Sequence, residues 1–174
     1  SEDEDAKREL RRVKEEVDKT LEDSKRVHDE SRKRAREWLE DSKRVHREVK
    51  ERLKELDVTE DLLRDIERLI KESEEKNKRI EEEYRKLLRE SEKRNKENKE
   101  RVEKILRELD DRLRKEGATE ELKRELERVL EEHRRSLEKN KRDVERINEE
   151  LKRRLDRNKE ELRKILEDVE RRRR

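Results

Sequence analysis

A serine and a histidine four residues apart occur twice on the same background. Leu21-Glu22-Asp23-Ser24-Lys25-Arg26-Val27-His28 returns unchanged eighteen residues later as Leu39-Glu40-Asp41-Ser42-Lys43-Arg44-Val45-His46. Residues four apart share a helix face, so each pair brings a hydroxyl within reach of an imidazole. Catalysis by such a pair would also need a group to orient the base and a cavity for substrate. No oriented carboxylate and no Gly-rich oxyanion loop accompanies either pair. Metal binding is no better served. His28 and His46 stand about 27 Å apart by helical rise, and each level offers one imidazole where zinc takes three or four ligands. The pairs therefore read as structural hydrogen bonding, with no catalytic, cofactor-binding or metal-ligating residue expected. A pH response is a further expectation. Buried His28 and His46 held neutral by Ser and Asn partners would titrate below the ordinary value of about 6.5.

The elements that position these residues follow from composition. Of 174 residues, 64% are charged and 24% hydrophobic, a balance that would suggest disorder or a lone charged helix. The 57 basic and 55 acidic side chains are interleaved and leave a net charge of +2, which suits exposed helix faces laced by i to i+4 pairs. Nucleic acid or anionic membrane would want a patch of one sign. Only Arg171 to Arg174 offers one, and it reads as a solvated tail at the favourable end of a helix dipole. Without cysteine there is no disulfide, thiolate or Cys-type metal site. No apolar run approaches a membrane span, and the acidic start Ser1-Glu2-Asp3-Glu4-Asp5 is no signal peptide. The expectation is a soluble protein with no nucleic-acid or membrane partner.

Two turns interrupt the chain. Asp57-Val58-Thr59-Glu60 and Gly117-Ala118-Thr119-Glu120 each offer a residue suited to the left-handed position after a helix, a small apolar residue and a Thr N-cap before acids. Ser1 before acids looks like a third N-cap. These signals predict one domain over 1-174, with helices at about 2-56, 60-115 and 120-172 and loops at 57-59 and 116-119. At 3.6 residues per turn, nearly every apolar residue falls in one stripe about 100° wide per segment. In the middle segment it runs from Leu69 through Ile80, Ser73, Tyr84 and Asn77 to Ile70, and eighteen residues on from Leu87 through Asn98, Ser91, Val102 and Asn95 to Leu88. Such a stripe fits a helix packed against two neighbours. An eighteen-residue repeat implies nearly straight helices, and short connections make consecutive helices antiparallel. The predicted fold is all-α: a coiled-coil-like, up-down-up three-helix bundle of long helices.

Polar residues on the stripes fall into layers. With antiparallel helices, residues at equal height have numbers summing to roughly 117 between the first two helices and roughly 234 between the last two. Ser24, His28, Ser91, Asn95 and Asn140 satisfy both rules as one set, and Ser42, His46, Ser73, Asn77 and Asn158 as a second copy. Two lesser layers also close: Thr20 with Asn98 and Ser136, His133 lying near, and Ser31 with Tyr84 and Asn148. A buried polar group without a partner costs about 1 to 3 kcal/mol, so misregistered helices are penalised and the intended register is not.

These features resemble a de novo designed helical bundle of the parametric type with buried hydrogen-bond networks. The repeated octets, the echo of Ile70-Lys71-Glu72-Ser73 in Leu88-Arg89-Glu90-Ser91, and the twin Thr-capped loops carry the resemblance over the whole chain. It implies a protein made to test a structural principle or to pair with a partner helix, for which the compartment is a recombinant host's cytoplasm. Two function classes stay open. One is a self-contained monomeric scaffold needing no partner, favoured by the stripe width. The other is an interaction module that receives a partner helix or self-associates, favoured by Val27, Val45 and Leu63 at the stripe margins. A natural spectrin-like spacer is a third.

Overall fold

Three hydroxyls start the three helices. Ser1, Thr59 and Thr119 each accept, on the side-chain oxygen, the amide of the residue three further on: Glu4 at 3.3 Å, Leu62 at 3.3 Å and Leu122 at 3.1 Å. Each satisfies a donor that the first helical turn cannot, and the acids that follow suit the positive end of the helix dipole. The structure is a computed structural model that describes residues 1–173. It contains α1 (Glu2–Glu55), α2 (Glu60–Glu116) and α3 (Glu120–Arg173). Arg174, the last of the terminal arginines, lies outside the described residues. Arg171 pairs with Asp168 in its own helix.

The two loops end their helices differently. Gly117 takes the left-handed conformation, φ 75°, and its amide returns to the Leu113 carbonyl at 3.0 Å. Asp57 does not share that conformation: among the described residues only Gly117 has a positive φ. The first helix instead tightens, with Leu56 N–H donating to the Leu53 carbonyl at 3.2 Å, so the common plan expected for the loops holds only at their Thr caps. The second loop has an additional tie, since the Ala118 amide donates to Asp3 Oδ1 at 2.8 Å. A Cβ on Gly117 would lie 3.2 Å from that same oxygen. Gly117→Ala is accordingly expected to cost about 1 to 2 kcal/mol from the left-handed backbone alone, with more if Asp3 is displaced. A urea melt superimposable on that of the parent would contradict this.

The helices pack as a three-helix bundle, and residue contacts divide it into two compact units. The first comprises residues 1–30 and 88–145. Its core joins Leu10, Val13 and Val17 of α1 to Leu106 and Leu109 of α2 and Leu122 and Leu126 of α3. The second comprises residues 31–87 and the described residues from 146 onward, with Val45, Val49 and Leu53 meeting Ile66 and Ile70 and enclosing Leu162. Inside each unit, hydrogen-bond partners rise along α1 while they fall along α2, so these helices are antiparallel; α1 and α3 run parallel. The α2 stripe is buried at its centre and open at one margin. Leu69 and Leu87, eighteen residues apart on the edge of the α2 stripe, are each 37% exposed, although the periodicity places them inside it. Val45 is buried, whereas its repeat equivalent Val27 and the marginal Leu63 are half-buried.

Candidate functional site: the buried polar layers

The two repeated polar layers each begin with a histidine folded back on its own helix. His28 Nδ1 lies 2.8 Å from the Ser24 carbonyl, and His46 Nδ1 lies 2.7 Å from that of Ser42. A carbonyl can only accept, so Nδ1 carries the hydrogen and Nε2 is left to face α2. There it meets a serine hydroxyl: His28 with Ser91 at 3.0 Å, His46 with Ser73 at 2.7 Å. The octets thus orient each ring through the backbone of the serine four residues earlier, not through its hydroxyl. The pairing of Ser24 with His28 as nucleophile and base does not form.

In the first unit the layer continues to α3. Asn140 Nδ2 donates to Ser91 Oγ at 2.8 Å, leaving the Ser91 hydrogen for His28 Nε2. Asn95 Nδ2 donates to Asn140 Oδ1 at 3.0 Å and also to Ser24 Oγ. All five expected residues are joined. In the second unit Ser42, His46, Ser73, Asn77 and Asn158 are likewise joined, with one difference. Asn77 Nδ2 donates to Ser42 Oγ at 2.6 Å, while Asn158 Nδ2 donates to Asn77 Oδ1 at 2.7 Å and to the Ser73 carbonyl at 3.0 Å. The Asn158 amide is turned opposite to that of Asn140, and its Oδ1 is buried without a partner.

Ser31 forms the third layer, also within the second unit. Its hydroxyl donates to Asn148 Oδ1 at 2.5 Å and lies 2.7 Å from the Tyr84 hydroxyl. Since the Ser31 hydrogen is committed, Tyr84 O–H is the donor to Ser31 Oγ. Burial pushes the Tyr84 pKa up, opposed by the Ser31 hydrogen bond and the charge of Arg32. Tyr84 therefore has a structural partner, beyond the absorbance that a lone tyrosine supplies.

The fourth layer departs from expectation. Thr20 meets His133, Oγ1 to Nε2 at 2.7 Å, and lies 2.9 Å from both the Glu16 and Val17 carbonyls. Asn98 and Ser136 do not join them. Both are half-buried, and Asn98 Oδ1 instead accepts from Arg101 at 2.8 Å. Asn98 sits near the open margin of the α2 stripe, where an arginine three residues on reaches it more easily than a hydroxyl across the core. With Thr20 donating to a carbonyl of its own helix, His133 Nε2 carries the hydrogen, and Nδ1 is buried without a partner. The tautomer is opposite to that of His28 and His46.

That arrangement has a pH consequence. Burial holds the His133 pKa below its ordinary value, opposed by the Val17 carbonyl and the Glu16 carboxylate. Between the lowered folded value and about 6.5, the unfolded chain binds more protons, so stability rises with pH across that window and declines as pH falls through it. The parent should lose more stability than His133→Gln between about pH 7.5 and pH 4.5 in paired urea melts. Equal losses would exclude the effect. Asp41 does not confuse the comparison, because hydrogen bonds from Lys159 and Arg44 hold its carboxyl at about 2.

Asp41 belongs to a set that the polar layers do not reveal. Lys159 donates to it at 2.8 Å; Arg134 Nε reaches Glu16 at 2.8 Å and Arg52 reaches Glu170 at 3.4 Å. Each links α1 to α3 with the same separation of 118 residues. A constant offset between opposite charges in the first and third helices is a signal present in the sequence. Lys159 is the most enclosed of these charges; burial opposes its charge, yet Asp41 and Asp156 raise its pKa.

These helices and layers define an all-α bundle whose interior is crossed by Ser, His and Asn networks. The Ser91 and Ser42 hydroxyls are fully enclosed, and the ring-orienting position a carboxylate would occupy in a triad is filled by a carbonyl. Among the described residues no group of three or more His, Cys, Asp or Glu could hold a metal, and no helix is long and apolar enough to cross a membrane. No family model, curated protein or solved structure matches the chain.

Proposed function

We propose that the chain is a de novo designed structural scaffold whose buried Ser, Asn and His layers specify which helices pair and in what register, with no natural biochemical activity. The observation that carries this reading is the joining of Ser24, His28, Ser91, Asn95 and Asn140, and separately of Ser42, His46, Ser73, Asn77 and Asn158, from three helices each. A wrong register strands several of these groups at about 1 to 3 kcal/mol each, while apolar packing alone discriminates registers weakly. The test replaces the ten layer residues by Leu, Val and Ile of matching size. Light scattering on a sizing column should then give several masses for the variant, and a single mass near 21.9 kDa for the parent. One monodisperse species for both would remove the specifying role.

A second reading, self-association or capture of a partner helix, is favoured by one observation: Leu69 and Leu87 lie exposed on one line of α2. A parent mass at a multiple of 21.9 kDa would move the account to that reading.

A further inference from the structure

The seam between α1 and α2 in the second unit opens near the first loop, one of several clefts along the helices. A cleft of about 420 Å³ lies there, floored by Leu53, Ile66 and Ile70 and walled by the half-buried Leu63. The volume falls in the range of small-ligand sites, roughly 300 to 1,000 Å³. Its rim is charged. Lys50 pairs with Glu74 across the mouth, which neutralises both. Lys54, Lys71 and Glu67 also line the cleft, and none of the three makes an ion pair among the described residues. The rim therefore carries one cation in excess over an apolar floor.

We propose that this cleft binds a medium-chain carboxylate, with the alkyl chain against Leu53, Ile66 and Ile70 and the carboxylate between Lys54 and Lys71. A neutral apolar molecule would leave the excess ammonium uncompensated, and a dianion would exceed it. The long lysine stems add apolar wall while their heads reach solvent, a geometry suited to an amphiphile. The inference does not depend on the scaffold reading, because it concerns a cleft outside the polar layers.

Decanoate is the probe, followed by methyl NMR of the intact chain. Leu53, Ile66 and Ile70 methyl resonances should shift and saturate with decanoate below about 5 mM, while those of Leu10, Leu106 and Leu126 in the first unit stay fixed. Leu63→Trp, a change at a half-buried wall position that should leave the fold intact by circular dichroism, fills the cleft and should abolish the shifts. Lys54→Glu with Lys71→Glu should weaken binding about tenfold, as two reversed exposed charges predict. Absence of shifts, shifts spread over both units, or shifts that survive Leu63→Trp would each overturn the assignment. So would shifts that grow with protein concentration alone, which would give the cleft to a second copy of the chain.

Discussion

Ser31→Ala should destabilise the protein by about 2 to 6 kcal/mol, a large effect for the loss of one oxygen, because it strands two buried groups at about 1 to 3 kcal/mol each. Ser31 is the hub of its layer. Its hydroxyl donates to Asn148 Oδ1 and accepts from Tyr84, and all three residues are buried. Alanine removes both partners at once and leaves a phenol hydrogen and an amide oxygen in the core. The decisive comparison is with Ser31→Ala, Tyr84→Phe and Asn148→Leu combined. Replacing every member of a network by apolar groups of similar shape is close to neutral, so the triple variant should regain most of what the single one loses. Urea melts of the parent, the single variant and the triple variant measure this directly. A triple variant less stable than Ser31→Ala would mean the layer stabilises the fold itself and does not chiefly penalise wrong ones.

Leu162→Ala should cost about 3 to 5 kcal/mol. Leu162 is 0% exposed and lies in the cluster of Val45, Val49, Ile66 and Ile70, so truncation opens a cavity that three helices cannot collapse without moving the neighbouring layer of Asn158 and Ser73. Leu87→Ala provides the scale. With more than a third of its surface already in water, Leu87 should lose less than about 2 kcal/mol in the same assay. Similar costs at the two sites would show that the second unit's core is looser than its close packing implies.

The layers were legible in the sequence because two regularities constrain them jointly: an eighteen-residue repeat that keeps a face, and short loops that tie heights on one helix to heights on the next. Ser31, Tyr84 and Asn148 illustrate the second, being far apart in the chain yet fixed by the antiparallel rule and then joined at hydrogen-bond distance. Height alone does not say which way a side chain leans. Asn98 has the right height for Thr20 but sits at the stripe margin, where Arg101 takes its oxygen; His133, noted only as lying near, is the residue that Thr20 meets. The opposite turns of Asn140 and Asn158 were equally hidden, since an amide has the same shape in either sense and only its neighbours choose between them. Asp57 against Gly117 is a third case. Both tolerate the left-handed conformation, but only glycine adopts it without steric cost, and the first loop closes through Leu53 and Leu56 instead. The charges joining α1 to α3 went unread because a surface of interleaved signs offers many candidate pairs: Lys7 with Glu125, Lys14 with Glu132 and Lys43 with Glu161 share the separation of 118 residues found for Asp41 with Lys159, Glu16 with Arg134 and Arg52 with Glu170, yet they do not pair.

If the layers are fixed hydrogen-bonded arrays, the ring nitrogens of the histidines report it most directly. Long-range proton–nitrogen correlation spectra of labelled protein near neutral pH distinguish a protonated ring nitrogen from a bare one. Hydrogen is expected on Nδ1 in His28 and His46, donated to the Ser24 and Ser42 carbonyls, and on Nε2 in His133, facing Thr20. Three histidines with one common tautomer, or rings averaging between tautomers as in a free peptide, would contradict it.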